Sequence, residues 1–141
     1  MVRELVFEVK WNEAIDRAIK RAPTEALNRM AEHTVAGAKR RSPWKTGNNR
    51  KQIWWDTPRG GVRRIFTTSG YGGLLETGTG IFGPLKKRIV PKTAKALSWI
   101  GAGGKRVFFK SVKGRPATPY IRPALQDVIG RARSILKDLV K

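Results

Sequence analysis

Two stripes of apolar residues at helical spacing, one near each end of the chain, most constrain how this sequence can fold. The first stripe runs from Trp11 to Ala38 and the second from Ile121 to Leu139, with apolar residues three or four positions apart. Such spacing lines the apolar residues along one side of an α-helix, and that side must be buried against another element. The sequence therefore predicts a long N-terminal helix and a C-terminal helix on a shared core.

Both predicted helices carry signals that set their limits. Asn12 is a candidate cap at the start of the first helix, Pro23 predicts a kink within it, and Ser42-Pro43 predicts its end. Pro123 fits the first turn of the second helix. Basic residues lie in the last turns of both, where cations complement the helix dipole.

Strands are predicted from alternating apolar and polar residues. Residues Arg3–Val9 alternate in this way, and Val62–Thr68 and Val107–Val112 have strand-like composition after glycine-rich turns. A short helix is predicted around Ala94–Trp99.

These elements predict an α+β fold class, in which an antiparallel sheet is packed by the long N-terminal helix and the C-terminal helix. The 141 residues are about one domain's worth, and 40% of them are hydrophobic, which is enough for one modest core. We therefore expect a single domain over residues 1–141. Because residues 69–84 alone contain six glycines, a flexible basic loop region is expected around residues 69–115.

Positive charge is concentrated in the middle of the chain. The sequence has 30 lysines and arginines against 10 acidic residues, a formal net charge of +20. Residues 37–115 hold nineteen of the basic residues but only two acidic ones, Asp56 and Glu76. A short run of this kind is often a solvated face, whereas a field of this size predicts an anionic or acidic partner.

Tryptophans lie among these basic residues. Trp54-Trp55 follow Arg50 and Lys51, and Trp44 is close to Arg41. Aromatic rings among cations can stack on nucleic-acid bases while the cations hold phosphates. Core packing or a subunit interface is the alternative, since tryptophan and arginine are both enriched at interfaces.

The residue inventory argues against most enzyme and membrane classes. The chain has no cysteine and a single histidine, His33, so it has no disulfide, thiolate or multi-histidine metal site, and no cofactor is predicted. The glycine-rich stretch lacks a phosphate-loop motif. Glu76, a lone carboxylate in a basic region, predicts an ion pair that fixes a loop or a subunit contact rather than a catalytic role. No apolar run reaches the roughly 20 residues of a membrane helix, and the N-terminus does not resemble a signal peptide.

Three segments, in this order, resemble motifs of one protein family. Residues 42–53, SPWKTGNNRKQI, are similar to P-x-x-T-G-x-L-R-x-S-I; residues 71–80, YGGLLETGTG, are similar to Y-A-x-x-V-E-x-G-T; residues 115–128, RPATPYIRPALQDV, are similar to x-A-x-P-F-L-x-P-A-L. The family is a tail-component family of long-tailed bacteriophages, small neck or tail-completion proteins that join head and tail. Asn49 replaces the apolar residue of the first motif, and Gly72-Gly73 replace the alanine of the second.

The resemblance implies a structural virion component, a minor tail protein of the neck or tail end that is not an enzyme and has no cofactor. Its expected partners are other head–tail connector or tail proteins and copies of itself in a ring. It would be made in the host cytoplasm, with no membrane contact, and be found in the virion. The residues expected to shape an interface or loop are Thr46, Gly47, Arg50, Tyr71, Glu76, Gly78, Thr79, Pro119, Tyr120 and Pro123.

The basic region has two possible uses within that role. It can meet the phosphates of DNA crossing the head–tail junction, without sequence specificity, or it can dock onto acidic surfaces of neighbouring proteins. The residues expected to make such contacts are Arg63, Arg64, Lys86, Lys87, Arg88, Lys105 and Arg106. A non-specific nucleic-acid-binding module, such as a ribosome-associated protein, is the alternative, followed by a small basic nuclease that would use Glu76 or His33.

Overall fold

The computed structural model of the protein describes residues 24–43 and 45–137. Over these residues the chain forms two compact units. The helix unit comprises the described residues up to Gly73 and from Pro119 onward, and the basic unit is Leu74–Thr118. In chain order the helices are α1 (Thr24–Arg41), α2 (Asn48–Lys51), α3 (Gly72–Thr77), α4 (Ile121–Gly130) and α5 (Ala132–Leu136), and the strands are β1 (Ile53–Asp56), β2 (Arg64–Thr67), β3 (Leu97–Ile100) and β4 (Arg106–Phe109).

The core of the helix unit is the contact between α1 and α4. Gly37 of α1 allows the two helices to approach closely, because a Cβ there would lie only 3.1 Å from the Cβ of Ala124. Arg41, in the last turn of α1, forms an ion pair with Asp127 of α4. The buried apolar residues of the two helices are Ala26, Leu27, Met30, Ala31, Val35, Ala38, Ile121, Ala124 and Val128.

Strands β1 and β2 form an antiparallel sheet that packs on α1. Ile53 and Ile65 are its buried residues. Ile65 lines a small cavity of about 20 Å³ together with Leu27 and Met30 of α1. A two-stranded sheet is marginally stable by itself, so this sheet depends on its apolar contact with the helix.

The basic unit contains the second sheet. Strands β3 and β4 pair as an antiparallel hairpin, with Leu97 opposite Phe109 and Ile100 opposite Arg106. An isolated antiparallel bridge joins Ile89 to Val112. A 3-10 turn at Gly80–Phe82 follows α3.

The predicted α+β fold class is confirmed: an N-terminal helix packs against a C-terminal helix and an antiparallel sheet. The strand predicted at Val62–Thr68 is β2, and the strand predicted at Val107–Val112 overlaps β4. The strand predicted at Arg3–Val9 and the kink predicted at Pro23 lie outside the described residues.

Three local predictions were wrong. No helix forms around Ala94–Trp99, because Leu97–Trp99 belong to strand β3 and pair across a hairpin with β4. The turn-rich stretch before Ile53 contains the one-turn helix α2 and leads directly into β1, which the sequence analysis missed. The glycine-rich stretch at 69–84, expected to be loop, contains α3. The single domain expected over residues 1–141 stays a prediction, and residues 74–118 form one compact unit of the chain.

Candidate interaction surface

All the exposed charge of the basic unit is positive. Its ten lysines and arginines are all exposed, and its one acidic residue, Glu76, is buried at 5% exposure. Five of the predicted contact residues are among the exposed ones: Lys86, Lys87, Arg88, Lys105 and Arg106. Since no exposed carboxylate of the unit offsets them, the unit attracts anionic or acidic partners and repels basic ones.

The β3–β4 hairpin exposes apolar side chains on both of its faces. Trp99 and Phe109 lie on one face and stack, with ring centroids 4.8 Å apart and planes 11° from parallel. Ile100 and Phe108 lie on the other face, where Phe108 is 66% exposed. Neighbouring residues of a strand point to opposite faces, so the consecutive pair Phe108-Phe109 supplies one ring to each. Because exposed apolar patches are typical of interaction sites, the hairpin is a candidate contact site.

A groove of about 490 Å³ lies within the basic unit. Its wall includes the side chain of Leu85, which is 81% exposed. Arg88 is partly held in place, because its Nε donates to the Ser111 hydroxyl at 2.9 Å. The apolar lining residues are Leu74, Pro84, Leu85, Ile89 and Val90, and the cations are Lys87, Arg88 and Lys92.

Gly78 and Thr79 join two segments of the basic unit. The Thr79 backbone nitrogen donates to the Arg115 carbonyl at 2.9 Å, and the Arg115 nitrogen donates to the Thr79 hydroxyl at 2.9 Å. Gly78 has a φ of 79°, and a Cβ there would lie 2.9 Å from the Ala117 nitrogen. The Gly-Thr pattern therefore has a structural role, and the second and third motif segments meet at this point.

In the helix unit, Asn49 is a buried centre of hydrogen bonding. Its Nδ2 donates to the Ser42 hydroxyl at 3.0 Å, and its Oδ1 accepts from Thr67 Oγ1 at 2.9 Å and Ser69 Oγ at 2.6 Å. The Tyr120 hydroxyl lies 3.5 Å from the same oxygen. The polar residue that departs from the family motif is thus buried, as an apolar residue would be, but with its polar atoms satisfied.

The first motif segment shapes the interior of the helix unit. Gly47 precedes α2 with a φ of 72°, a left-handed conformation that glycine adopts at no steric cost. The half-buried Arg50 donates from Nη2 to the Ser42 carbonyl at 3.4 Å. Thr46 is exposed, and its hydroxyl oxygen lies 3.4 Å from the Asn48 nitrogen.

The remaining predicted interface residues differ in exposure. Tyr120 is fully buried, so its side chain contacts the interior of its own unit. Pro123 is half-buried within the first turn of α4. Tyr71 and Pro119 are exposed. Tyr120 therefore cannot contact a partner directly without rearrangement.

Arg63 and Arg64 are half-buried and already engaged within the helix unit. Arg63 Nε donates to Asn28 Oδ1 at 2.7 Å, and its guanidinium lies 5.8 Å from the Trp55 ring centroid. Arg64 makes a forked pair with Asp56, with Nε 3.0 Å from Oδ1 and Nη2 2.5 Å from Oδ2. The hydrogen bonds from Arg64 hold the pKa of Asp56 below its usual value of 3.8. These two arginines therefore offer less free charge than those of the basic unit.

The described part of the chain has no group of side chains typical of a metal site. Among residues 24–43 and 45–137, no three histidine or acidic side chains come together as a metal site would require. His33 is exposed on α1. Within the same residues, no helix combines the length and apolarity needed to cross a membrane.

The apolar part of this surface was not predicted from the sequence. Leu85, Val90 and Phe108 were not singled out, although each stands next to or between basic residues in the sequence. The adjacent Phe108-Phe109 pair was the available signal, since two large rings at consecutive strand positions cannot both face one core. Asn49 was noted only as a departure from the motif.

Comparisons of the chain with known protein families, with curated proteins and with solved structures found no match. The resemblance to the phage tail-component family therefore rests on the three motif segments alone.

Proposed function

We propose that this protein is a structural component of a bacteriophage neck or tail end, a tail-completion or head–tail joining protein that assembles through protein–protein contacts. The observation that carries the proposal is the surface of the basic unit. It combines ten exposed cations with exposed apolar side chains and has no exposed carboxylate. A surface of this kind is suited to binding, and catalysis is not part of the proposed role.

The two components of the surface have different uses in assembly. The cations accelerate encounter with an acidic surface, in a way that salt suppresses. The exposed apolar residues, such as Leu85 and Phe108, stabilise the docked state by removing apolar area from water. Because duplex DNA offers phosphates but no apolar surface to match these residues, the surface favours an acidic protein over DNA as the main partner.

The three motif segments support the proposal in another way. The segments at residues 42–53 and 115–128 contribute to the Asn49 hydrogen-bond network through Ser42 and Tyr120. The segments at residues 71–80 and 115–128 pair through Thr79 and Arg115. Motifs whose residues hold a fold together are the ones expected to persist while surface contacts diverge, so the proposal assigns the partner contacts to the basic unit.

The proposed function is tested by removing the gene from a phage that encodes this chain and examining the lysate by electron microscopy. We expect filled heads and separate tails, with joined particles restored by the wild-type chain supplied in trans. A chain with Lys86, Lys87 and Arg88 changed to glutamate should fail to restore joining. The matched control is Lys45→Glu, an exposed lysine of the helix unit. Normal infectious particles without the gene would refute the proposal.

A nucleic-acid-binding module is the second candidate, and one observation favours it. Trp54 is 51% exposed, and Lys39 Nζ lies 5.2 Å from its ring centroid, so an aromatic face and a cation are adjacent at the surface. If this is the binding site, Trp54→Ala should weaken binding of a single-stranded oligonucleotide by about 1–3 kcal/mol. The logarithm of the affinity should fall linearly with the logarithm of the salt concentration. Unchanged binding by Trp54→Ala would remove this candidate site.

A further inference from the structure

We propose that the groove of the basic unit binds an acidic amphipathic segment of a partner protein, one that presents leucine-like side chains on one side and carboxylates beside them. The inference rests on the assembly role proposed above and deepens it by naming the chemistry of the partner. Its basis is the groove of about 490 Å³, which combines an apolar lining with three cations.

The apolar lining sets the first requirement for the occupant. Leu85 and Val90 are 81% and 58% exposed, and Leu74 and Pro84 are exposed beside them in the lining. Such aliphatic side chains stabilise a complex when an apolar group of the partner covers them and removes their surface from water. None of the lining residues is aromatic, so the groove has no ring on which a nucleic-acid base could stack. The lining therefore favours a protein segment over a nucleic acid.

Charge sets the second requirement. The groove is lined by three cations, Lys87, Arg88 and Lys92. The basic unit has no exposed carboxylate that could compete for them. Lys87 and Lys92 make no ion pair with another described residue, whereas Arg88 is oriented by its bond to Ser111. Carboxylates in the occupant satisfy these cations, and a basic occupant is repelled. Since this chain has a net charge of +20, a second copy meets the requirement poorly.

The test uses a fluorescein-labelled peptide of roughly 15 residues, built from leucine and glutamate at helical spacing. Two comparison peptides replace either the leucines by serine or the glutamates by lysine. Fluorescence anisotropy with the full chain at physiological salt measures binding. We expect saturable binding of the leucine–glutamate peptide and at least about tenfold weaker binding of both comparison peptides. Equal binding of the serine–glutamate peptide, or no saturable binding of the leucine–glutamate peptide up to about 1 mM, would overturn the proposal.

Matched pairs of variants locate the site. Leu85→Ser and Val90→Ser should weaken binding about tenfold, whereas Phe108→Ser, at an exposed apolar residue of the hairpin outside the groove, should leave it unchanged. Lys87→Ala should weaken binding several-fold and reduce its salt dependence, whereas Lys105→Ala should not, because charges outside the groove are screened. These side chains are exposed, so the variants are expected to fold, and circular dichroism checks this. Wild-type affinity in Leu85→Ser would overturn the groove as the site.

Two other occupants give distinct results. Displacement of the peptide by a single-stranded oligonucleotide, with the same loss in Leu85→Ser, would assign the groove to nucleic acid and overturn the proposal. Self-association in sedimentation equilibrium that is abolished by Leu85→Ser would assign the groove to a second copy of the chain and would also overturn the proposal.

The complementation assay separates this inference from the proposed function. If Leu85→Ser restores head–tail joining as well as wild type does, the assembly role stands and the groove is not its contact. If the peptide binds in the groove but removal of the gene leaves particles normal, the groove is still a binding site and the proposed assembly role is refuted.

Discussion

The side-chain amide of Asn49 donates to the hydroxyl of Ser42 across 3.0 Å, joining the short helix α2 to the residue that follows α1. Both side chains are buried. The carbonyl oxygen of Asn49 also accepts from Thr67 and Ser69, so one side chain connects three segments of the helix unit. A polar residue is stable at this buried position because each of its hydrogen-bonding groups has a partner.

Replacing Asn49 should destabilise the protein more than its size suggests. Asn49→Leu restores the apolar residue of the tail-family motif but leaves the buried Ser42 hydroxyl without this donor, and we expect a loss of about 1–3 kcal/mol. Urea unfolding followed by circular dichroism measures it. Asn48→Ala, at the exposed neighbouring position, is the control and should change stability by no more than about 0.5 kcal/mol. Equal effects of the two substitutions would contradict the role of the network.

Gly72 should tolerate no side chain. A Cβ at this position would lie 2.3 Å from Thr67 Cγ2, 2.5 Å from Asn49 Oδ1 and 2.6 Å from the Tyr120 hydroxyl oxygen. We expect Gly72→Ala to cost at least about 1–3 kcal/mol, because the network must move to admit the methyl group. Gly130→Ala is the control, since a Cβ there meets nothing within 4 Å, and it should leave the melting temperature unchanged or higher. A wild-type melting temperature for Gly72→Ala would show that the Asn49 hydrogen-bond network admits the methyl group without loss of stability.

The Asp56–Arg64 pair should make stability depend on pH in acid. Hydrogen bonding to Arg64 lowers the pKa of Asp56 in the folded protein, so the ionised carboxylate stabilises the fold at neutral pH. That contribution is fully present above the usual carboxyl value of 3.8 and is lost as the pH falls through the lowered one. Urea unfolding at several pH values should therefore show a smaller loss of stability in acid for Asp56→Asn than for wild type. Glu32→Gln, at an exposed site on α1, should follow the wild-type profile.

Leu27 and Leu125 should differ in their contribution to stability, although both belong to the predicted apolar stripes. Leu27 is buried, and Leu27→Ala is expected to cost roughly 2–5 kcal/mol through lost burial and a residual cavity. Leu125 is only half-buried, so the same substitution should cost less. Thermal unfolding of the two variants shows which substitution lowers stability more. Wild-type melting of both would contradict a core built between α1 and α4.

Phe108 should limit solubility rather than stabilise the fold. Its ring is 66% exposed on the hairpin face that also carries Ile100. We expect Phe108→Ser to leave the melting temperature unchanged while it lowers binding of an apolar fluorescent dye and delays precipitation at high protein concentration. The control is Val107→Ser, a half-buried position on the opposite face of the same strand, which should lower stability instead. A large drop in the melting temperature of Phe108→Ser would show that the ring is packed.

The sequence predicted the elements whose apolar pattern is long. The stripe at Ala26, Met30 and Val35 repeats over several turns, so its burial in a core shared with the C-terminal helix could be predicted. The β3–β4 hairpin was harder to predict. A four-residue strand such as β3 contains too few alternations of apolar and polar residues to be distinguished from a turn of helix.

The candidate groove contains four residues named from the sequence, Gly78, Thr79, Lys87 and Arg88, whereas Lys92 and the apolar lining residues were not named. Lysines and arginines such as Lys87 are almost always exposed, so their place on the surface can be predicted from the sequence. Leu85 and Val90 signal one only after the fold leaves them uncovered, and sequence alone assigns such residues to a core. The hydrogen-bonding role of Asn49 could not be predicted either, because its partners Thr67 and Ser69 are distant in sequence.

The exclusively cationic exterior of the basic unit also decides which solution variable controls its binding. Residues 74–118 contain no histidine, the side chain that ordinarily titrates near neutrality, and lysine and arginine keep their charge well into alkaline conditions. Small changes of pH around neutrality therefore leave the charge of these exposed side chains unaltered. Ionic strength is consequently the solution variable that weakens the electrostatic part of this attraction.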